Sequence, residues 1–139
     1  MVIAILYPVF AQIILTFVLL VAMGWARRKA ILTQGIGYRD IAIDASRWPE
    51  DARKVANSFN NQFELPVIFY VLCLIALITA KADFLMVVLA WAFVASRVAH
   101  ALIHTGSNAM PLRSIIYSIG MLVLMIMTGI LLMRLLVAF

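Results

Sequence analysis

The chain has 139 residues, 66% of them hydrophobic and only 12% charged, with a formal net charge of +5 and a mean hydropathy of +1.10. Soluble domains are only about half apolar, so this composition excludes a soluble globular enzyme and identifies an integral membrane protein. The excess of Lys and Arg does not indicate nucleic acid, because these residues flank apolar runs, where they act as topology signals and headgroup contacts.

At about 20 apolar residues per span, the chain has room for one domain over 1–139 and about four transmembrane helices. The first apolar stretch runs from Val2 to Ala26, lacks a basic lead-in and exceeds a signal-peptide core, so it is expected to be a retained span. RRKAILTQGIGYRDIAIDASRWPED follows, and Gly35, Gly37 and mixed charge predict an exposed, partly irregular loop over about 27–50. Pro49, Glu50 and Asp51 read as a helix start, with acids at the positive end of the dipole, so the second span (about 52–80) begins before its apolar part at Val55. AKAD predicts a tight hairpin that sets the second and third helices side by side and antiparallel. The third span covers about 82–105, TGSNAMP breaks the chain with Gly106, Asn108 and Pro111, and the fourth span covers about 112–138. No segment alternates with period two, which disfavours a barrel. The expected fold is an all-α membrane protein, a four-helix up-down transmembrane bundle. A lone Cys73 within an apolar helix rules out an intrachain disulfide and reads as a small core residue.

Lys and Arg counts set the orientation. Arg27, Arg28, Lys29, Arg39, Arg47, Arg53 and Lys54 lie on one side and Lys81 and Arg134 on the other. The first and third loops are therefore expected in the cytoplasm and both termini outside it.

Polar residues inside spans are functional candidates by default, since each ionisable group costs about 2.5–3.5 kcal/mol to insert. On the second helix Arg53, Asn57, Asn60, Asn61 and Glu64 recur at helical spacing, as do Arg97, His100 and His104 on the third. Arg113, Tyr117 and Gly120 share a face of the fourth. Glu64 and Arg97 each lie about 10–12 Å inward along their helices, which predicts either an ion pair between them or a direct part in ligand binding. Pro66 is expected to kink the second helix and open a cleft. His100 and His104 have the i, i+4 spacing of metal ligands but no HExxH or cysteine cluster beside them, so no metal is expected. No activated protein nucleophile is evident, which leaves any chemistry to a bound reagent.

NQFELPVIFY, RVAHALIH, the LR that opens the fourth helix and the ARRK that closes the first together resemble the MAPEG superfamily. These membrane proteins of eicosanoid and glutathione metabolism include microsomal glutathione transferases, leukotriene synthase and the lipoxygenase-activating protein. The resemblance covers nearly the whole chain and has the character of a bacterial branch, which implies a bacterial inner-membrane location. It implies a homotrimer with glutathione as co-substrate in a cleft between subunits, and a lipophilic molecule arriving from the lipid. Carried over, Asn61 and Glu64 would hold the glutathione peptide, Arg28 would lie near the reaction zone and Arg113 would face the thiol. Arg53, one turn before Asn57, stands in for an arginine the family carries at the position of Asn57, and His100 and His104 replace family tyrosines.

Three readings follow. The first is a glutathione-dependent transferase or peroxidase acting on lipophilic electrophiles, and the second is a non-catalytic protein binding lipid or a partner through the same cleft. The third, a small proton-coupled exporter, fits poorly, because such chains carry their glutamate in the first helix and have short loops.

Overall fold

The computed structural model describes residues 2–137, apart from the side chains of Val2, Tyr38, Asp40 and Ile43; Met1 and the expected end of the fourth span at Ala138 lie outside them. Four helical segments are long and apolar enough to cross a membrane: Ile3–Gln34, Glu50–Ile78, Phe84–Thr105 and Met110–Leu136. The described residues form no strand, and the chain is a multi-pass helical membrane protein.

Helix α1 (Leu6–Gln34) runs eight residues past the apolar stretch that ends at Ala26. RRKAILTQ has no residue that stops a helix, and α1 ends only at Gly35, whose φ of 63° suits a residue without a Cβ. Of the partly irregular loop expected over about 27–50, residues 27–34 belong to α1, and the rest holds a short helix, α2 (Tyr38–Ile43), and a 3-10 turn over Ala45–Arg47. Asp44 caps that turn by accepting from Ser46 N at 2.9 Å.

The second span is two helices. α3 (Glu50–Asn60) starts after Pro49 with Glu50 and Asp51 in its first turn, as the sequence predicts. A 3-10 turn over Asn61–Phe63 follows, Glu64 leaves the helical region at ψ −105°, and α4 (Leu65–Ile78) resumes with Pro66 in its first turn. The continuous, Pro66-kinked helix expected from the sequence is thus corrected to a break on the N-terminal side of the proline. Pro66 cannot donate to the Gln62 carbonyl, and its ring would crowd that carbonyl in a helix. In a first turn neither penalty applies.

Helices α5 (Phe84–Thr105) and α6 (Met110–Leu136) complete the bundle. They pack most extensively on each other, while α1 packs chiefly on α3. α5 and α6 pack tightly at Gly120, where a Cβ would lie 2.8 Å from Ser96 Oγ. Toward the α4–α5 hairpin the interior is apolar: Phe69 stacks on Phe93 at 4.6 Å, with Met86, Leu124 and Met127 around them. Cys73 is buried in this core, as expected. From Ser96 toward the other end, buried Gln12, Ser58, Gln62, Arg97, His100 and His104 make the interior polar.

The hairpin is tied to α6. Asp83 caps α5 by accepting from Met86 N at 3.0 Å, and its carboxylate takes both arms of Arg134, at 2.9 and 2.6 Å. The Arg134 fork holds the Asp83 carboxyl below its ordinary value of 3.8. A depressed carboxyl contributes stability above the unfolded-state value and loses it as pH falls through the folded-state value. Asp83→Asn keeps a capping side chain and removes the charge. It should therefore melt below the wild type at pH 7, and the gap should close as pH drops below about 4; thermal melting of both across pH 3–8 checks this. Separately, Gly120→Val should cost about 1–3 kcal/mol by overpacking, and Ser96→Ala in the same chain should recover part of the loss in detergent melts.

Candidate functional site

The polar half of the bundle opens as a cleft of about 570 Å³. α3 and the 3-10 turn supply Asn57, Asn60, Asn61 and Glu64; α5 supplies His100 and His104; α6 supplies Arg113, Ser114, Tyr117 and Ser118. Asn57, Asn60, Asn61 and Glu64, which recur at helical spacing, line the cleft together with the α5 and α6 residues, and the chain breaks immediately after them.

Glu64 and Arg97 do not form the ion pair expected from their depth. Among the described residues no carboxylate lies within 4.0 Å of Arg97. The Arg97 guanidinium, 1% exposed, instead donates from Nη2 to the Asn61 carbonyl at 3.0 Å. That carbonyl is released by the helix break, since the amide it would have met in a continuous helix belongs to α4. Tyr117 stands between the two charges: its hydroxyl donates to Glu64 Oε2 at 3.1 Å, and its ring lies 5.7 Å from the Arg97 guanidinium carbon. The remaining Arg97 donors, Nε and Nη1, are buried without partners.

The histidines are fixed by their neighbours. His104 Nδ1 lies 3.3 Å from Asn61 Nδ2; the amide donates, so neutral His104 carries its proton on Nε2. His100 packs edge-on against His104 at 5.5 Å and beside the Tyr117 ring at 5.7 Å. At the rim Arg113 Nη1 donates to Asn108 Oδ1 at 2.7 Å, which restrains the guanidinium near the α5–α6 connection.

Of the residues singled out in the sequence, Asn57, Asn61, Glu64, His100, His104 and Arg113 line the cleft, and Arg97 lies behind it. Arg53 is exposed and is not among the lining residues. Arg28 lies on a different groove, formed by α1 and the segment after it.

A buried amide relay escaped the sequence reading. Gln12 Nε2 donates to Gln62 Oε1 at 2.8 Å, and Gln62 Nε2 donates to the Ser58 carbonyl at 2.9 Å. Both glutamines are almost wholly buried, so α1 holds the back of the turn that presents Asn61 and Glu64. An amide inside the apolar run that opens α1 was the available signal.

A multi-pass helical bundle with a polar cleft set into otherwise lipid-compatible helices defines the class of protein. The chain belongs to the MAPEG family, whose family model matches residues 5–133. Membership places it among membrane proteins of eicosanoid and glutathione metabolism. No curated protein and no solved structure matches it significantly.

The relay makes an asymmetric prediction. Gln12→Leu strands a buried acceptor on Gln62 and should cost about 1–3 kcal/mol, whereas replacing both glutamines by Leu should cost less than the sum of the single changes. Chemical or thermal unfolding of the two single variants and the double variant measures the difference.

Proposed function

We propose that this protein is a glutathione-dependent transferase or peroxidase acting on lipophilic electrophiles, assembled as a homotrimer. The observation that carries the reading is the cleft itself, which brings the accessible Glu64 carboxylate and the Arg113 guanidinium, with amides between them, to one polar surface within a membrane bundle. That donor set fits a zwitterionic tripeptide. Glu64 suits an ammonium, Asn57 and Asn61 suit peptide groups, and Arg113 suits a carboxylate or thiolate. His100 and His104 add further polar lining, and Arg97 fixes the turn that carries Asn61. Arg28 and Arg53 lie outside the cleft of one protomer, so a part for them in this function requires a neighbouring subunit.

Glutathione would supply a thiol of pKa about 8.5, whose thiolate is the reactive form. The Arg113 guanidinium would stabilise the anion by charge and hydrogen bonds without itself transferring a proton. A lipophilic partner would arrive through the apolar outer faces of the helices, where Ile115, Ile119 and Leu122 on α6 are about half exposed.

The restraint of Arg113 by Asn108 favours a second reading, in which the same cleft binds a lipid-like ligand or partner without chemistry. Millimolar glutathione should raise the melting temperature of the solubilised protein and give a thiolate absorbance. Arg113→Ala should abolish that absorbance and lower any transferase activity by about 10²–10³-fold. If glutathione changes neither melting nor absorbance, the enzyme reading fails and the binding reading stands.

A further inference from the structure

Arg113 stands where α6 gains nothing from it. It lies in the first turn of α6, at the positive end of the helix dipole, where a cation is unfavourable and an acid would be stabilising. That turn holds no acid, and no side chain caps it. Asn108, two residues before the first helical residue, is of the type that caps helices well, yet its Oδ1 accepts from Arg113 Nη1 at 2.7 Å. A helix start arranged in this way forgoes local stability on two counts, and the side chain that benefits is one that lines the cleft.

Asn108 is itself fixed by the backbone. Its φ of 51° lies in the left-handed region, which asparagine tolerates better than most side chains. Its N–H donates to the Ile103 carbonyl at 2.7 Å and ties the connection to the end of α5. Across the connection, Arg113 N donates to the Ala109 carbonyl at 3.0 Å. The guanidinium is further steadied by Nη2, which lies 2.8 Å from Met110 Sδ, a weak acceptor.

What Asn108 supplies is an acceptor without a charge. Among the described residues no carboxylate lies within 4.0 Å of Arg113. An aspartate at this position would orient the guanidinium but pair with it, and a glycine would keep the backbone and let the side chain sweep. A guanidinium has more donors than the connection takes up, so donors remain for the cleft. We propose that Asn108 is the positioning residue of Arg113: it holds the guanidinium at the rim in one direction and leaves its charge uncompensated for an anionic group of the occupant. The proposal rests on the reading of the cleft as a glutathione site, and it gives the α5–α6 connection, which does not line the cleft, a part in that binding.

The test uses the full chain in detergent and two probes. Glutathione is followed by its thiolate absorbance from about pH 6 to 9, and glutathione sulfonate, with a fixed anion in place of the thiol, by calorimetry. Asn108→Gly retains the positive φ and the bond to Ile103, so without ligand it should melt as the wild type does. It should bind glutathione sulfonate about two- to tenfold more weakly, the loss expected from ordering one long side chain on binding, and its thiolate should form at higher pH. Asn108→Asp should lose about tenfold or more, because the new carboxylate competes with the ligand anion for Arg113. In an Arg113→Ala background Asn108→Gly should have no further effect. Glu64, His100 and His104 share the cleft with Arg113 in every variant, so their titration leaves the order of the variants unchanged. Wild-type binding and thiolate in Asn108→Gly, with both lost in Arg113→Ala, would overturn the proposal and leave the glutathione reading standing. A rise in either readout in Asn108→Gly would also overturn it and make the bond a restraint that keeps Arg113 from the occupant. If Asn108→Gly does not fold, Asn108→Asp decides, and wild-type affinity in that variant overturns the proposal. Neither binding nor absorbance in the wild type would overturn the glutathione reading and this proposal with it.

Discussion

The hydrogen bond from Arg97 to the Asn61 carbonyl is the contact on which the polar half of this bundle depends. The second span breaks just before Pro66, and a break inside a membrane releases backbone groups that lipid cannot satisfy. A neutral donor would satisfy the carbonyl with less desolvation. Arginine brings a longer reach and a permanent charge, and the cost of burying that charge is offset by the carbonyl, the Tyr117 ring and the nearby Glu64 carboxylate. The same side chain therefore repairs the break and anchors α5 to the turn that carries the site.

From that contact the division of the bundle follows. On the hairpin side, helices meet through Phe69, Phe93, Met86 and Met127, and an apolar interior needs no further justification in a membrane. On the other side the Gln12–Gln62 pair replaces apolar packing with a directional bond, which is the kind of contact that sets a helix's rotation in a solvent with no hydrophobic drive between helices. The close packing of Gly120 on Ser96 marks the boundary where apolar interior gives way to polar. The site is thus wedged open between a sealed half and a hydrogen-bonded turn.

Much of this was legible in the sequence. Length and hydropathy gave four spans, and the breakers Pro49, Gly106, Asn108 and Pro111 marked real helix ends. Asn57, Asn61, Glu64, His100, His104 and Arg113, read from the sequence as polar faces of separate spans, line one cleft. What the sequence did not yield were choices between competing partners. Glu64 and Arg97 matched in depth and opposite in charge, but depth along a helix axis says nothing about rotation, and Tyr117 took the intervening place. Likewise a proline inside an apolar run allows either a kink or a break, and only the buried arginine aimed at Asn61 makes the break affordable. Gln12 went unremarked because it is a single amide in an apolar run, with a partner 50 residues away.

The interposed tyrosine has a consequence for what the cleft can hold. Had Glu64 and Arg97 formed a direct pair, each would have satisfied the other, and neither would offer its charge to the cleft. With Tyr117 between them, the phenol takes one lone pair of Glu64 and leaves the carboxylate accessible at the cleft, while the guanidinium stays behind the ring with two donors unused. Arg113 adds a cation at the rim. A polar surface that keeps separated charges of both signs in a low-dielectric bundle has more to gain from a zwitterionic or amphiphilic occupant than from water alone, because opposite charges brought there interact more strongly than in bulk solvent.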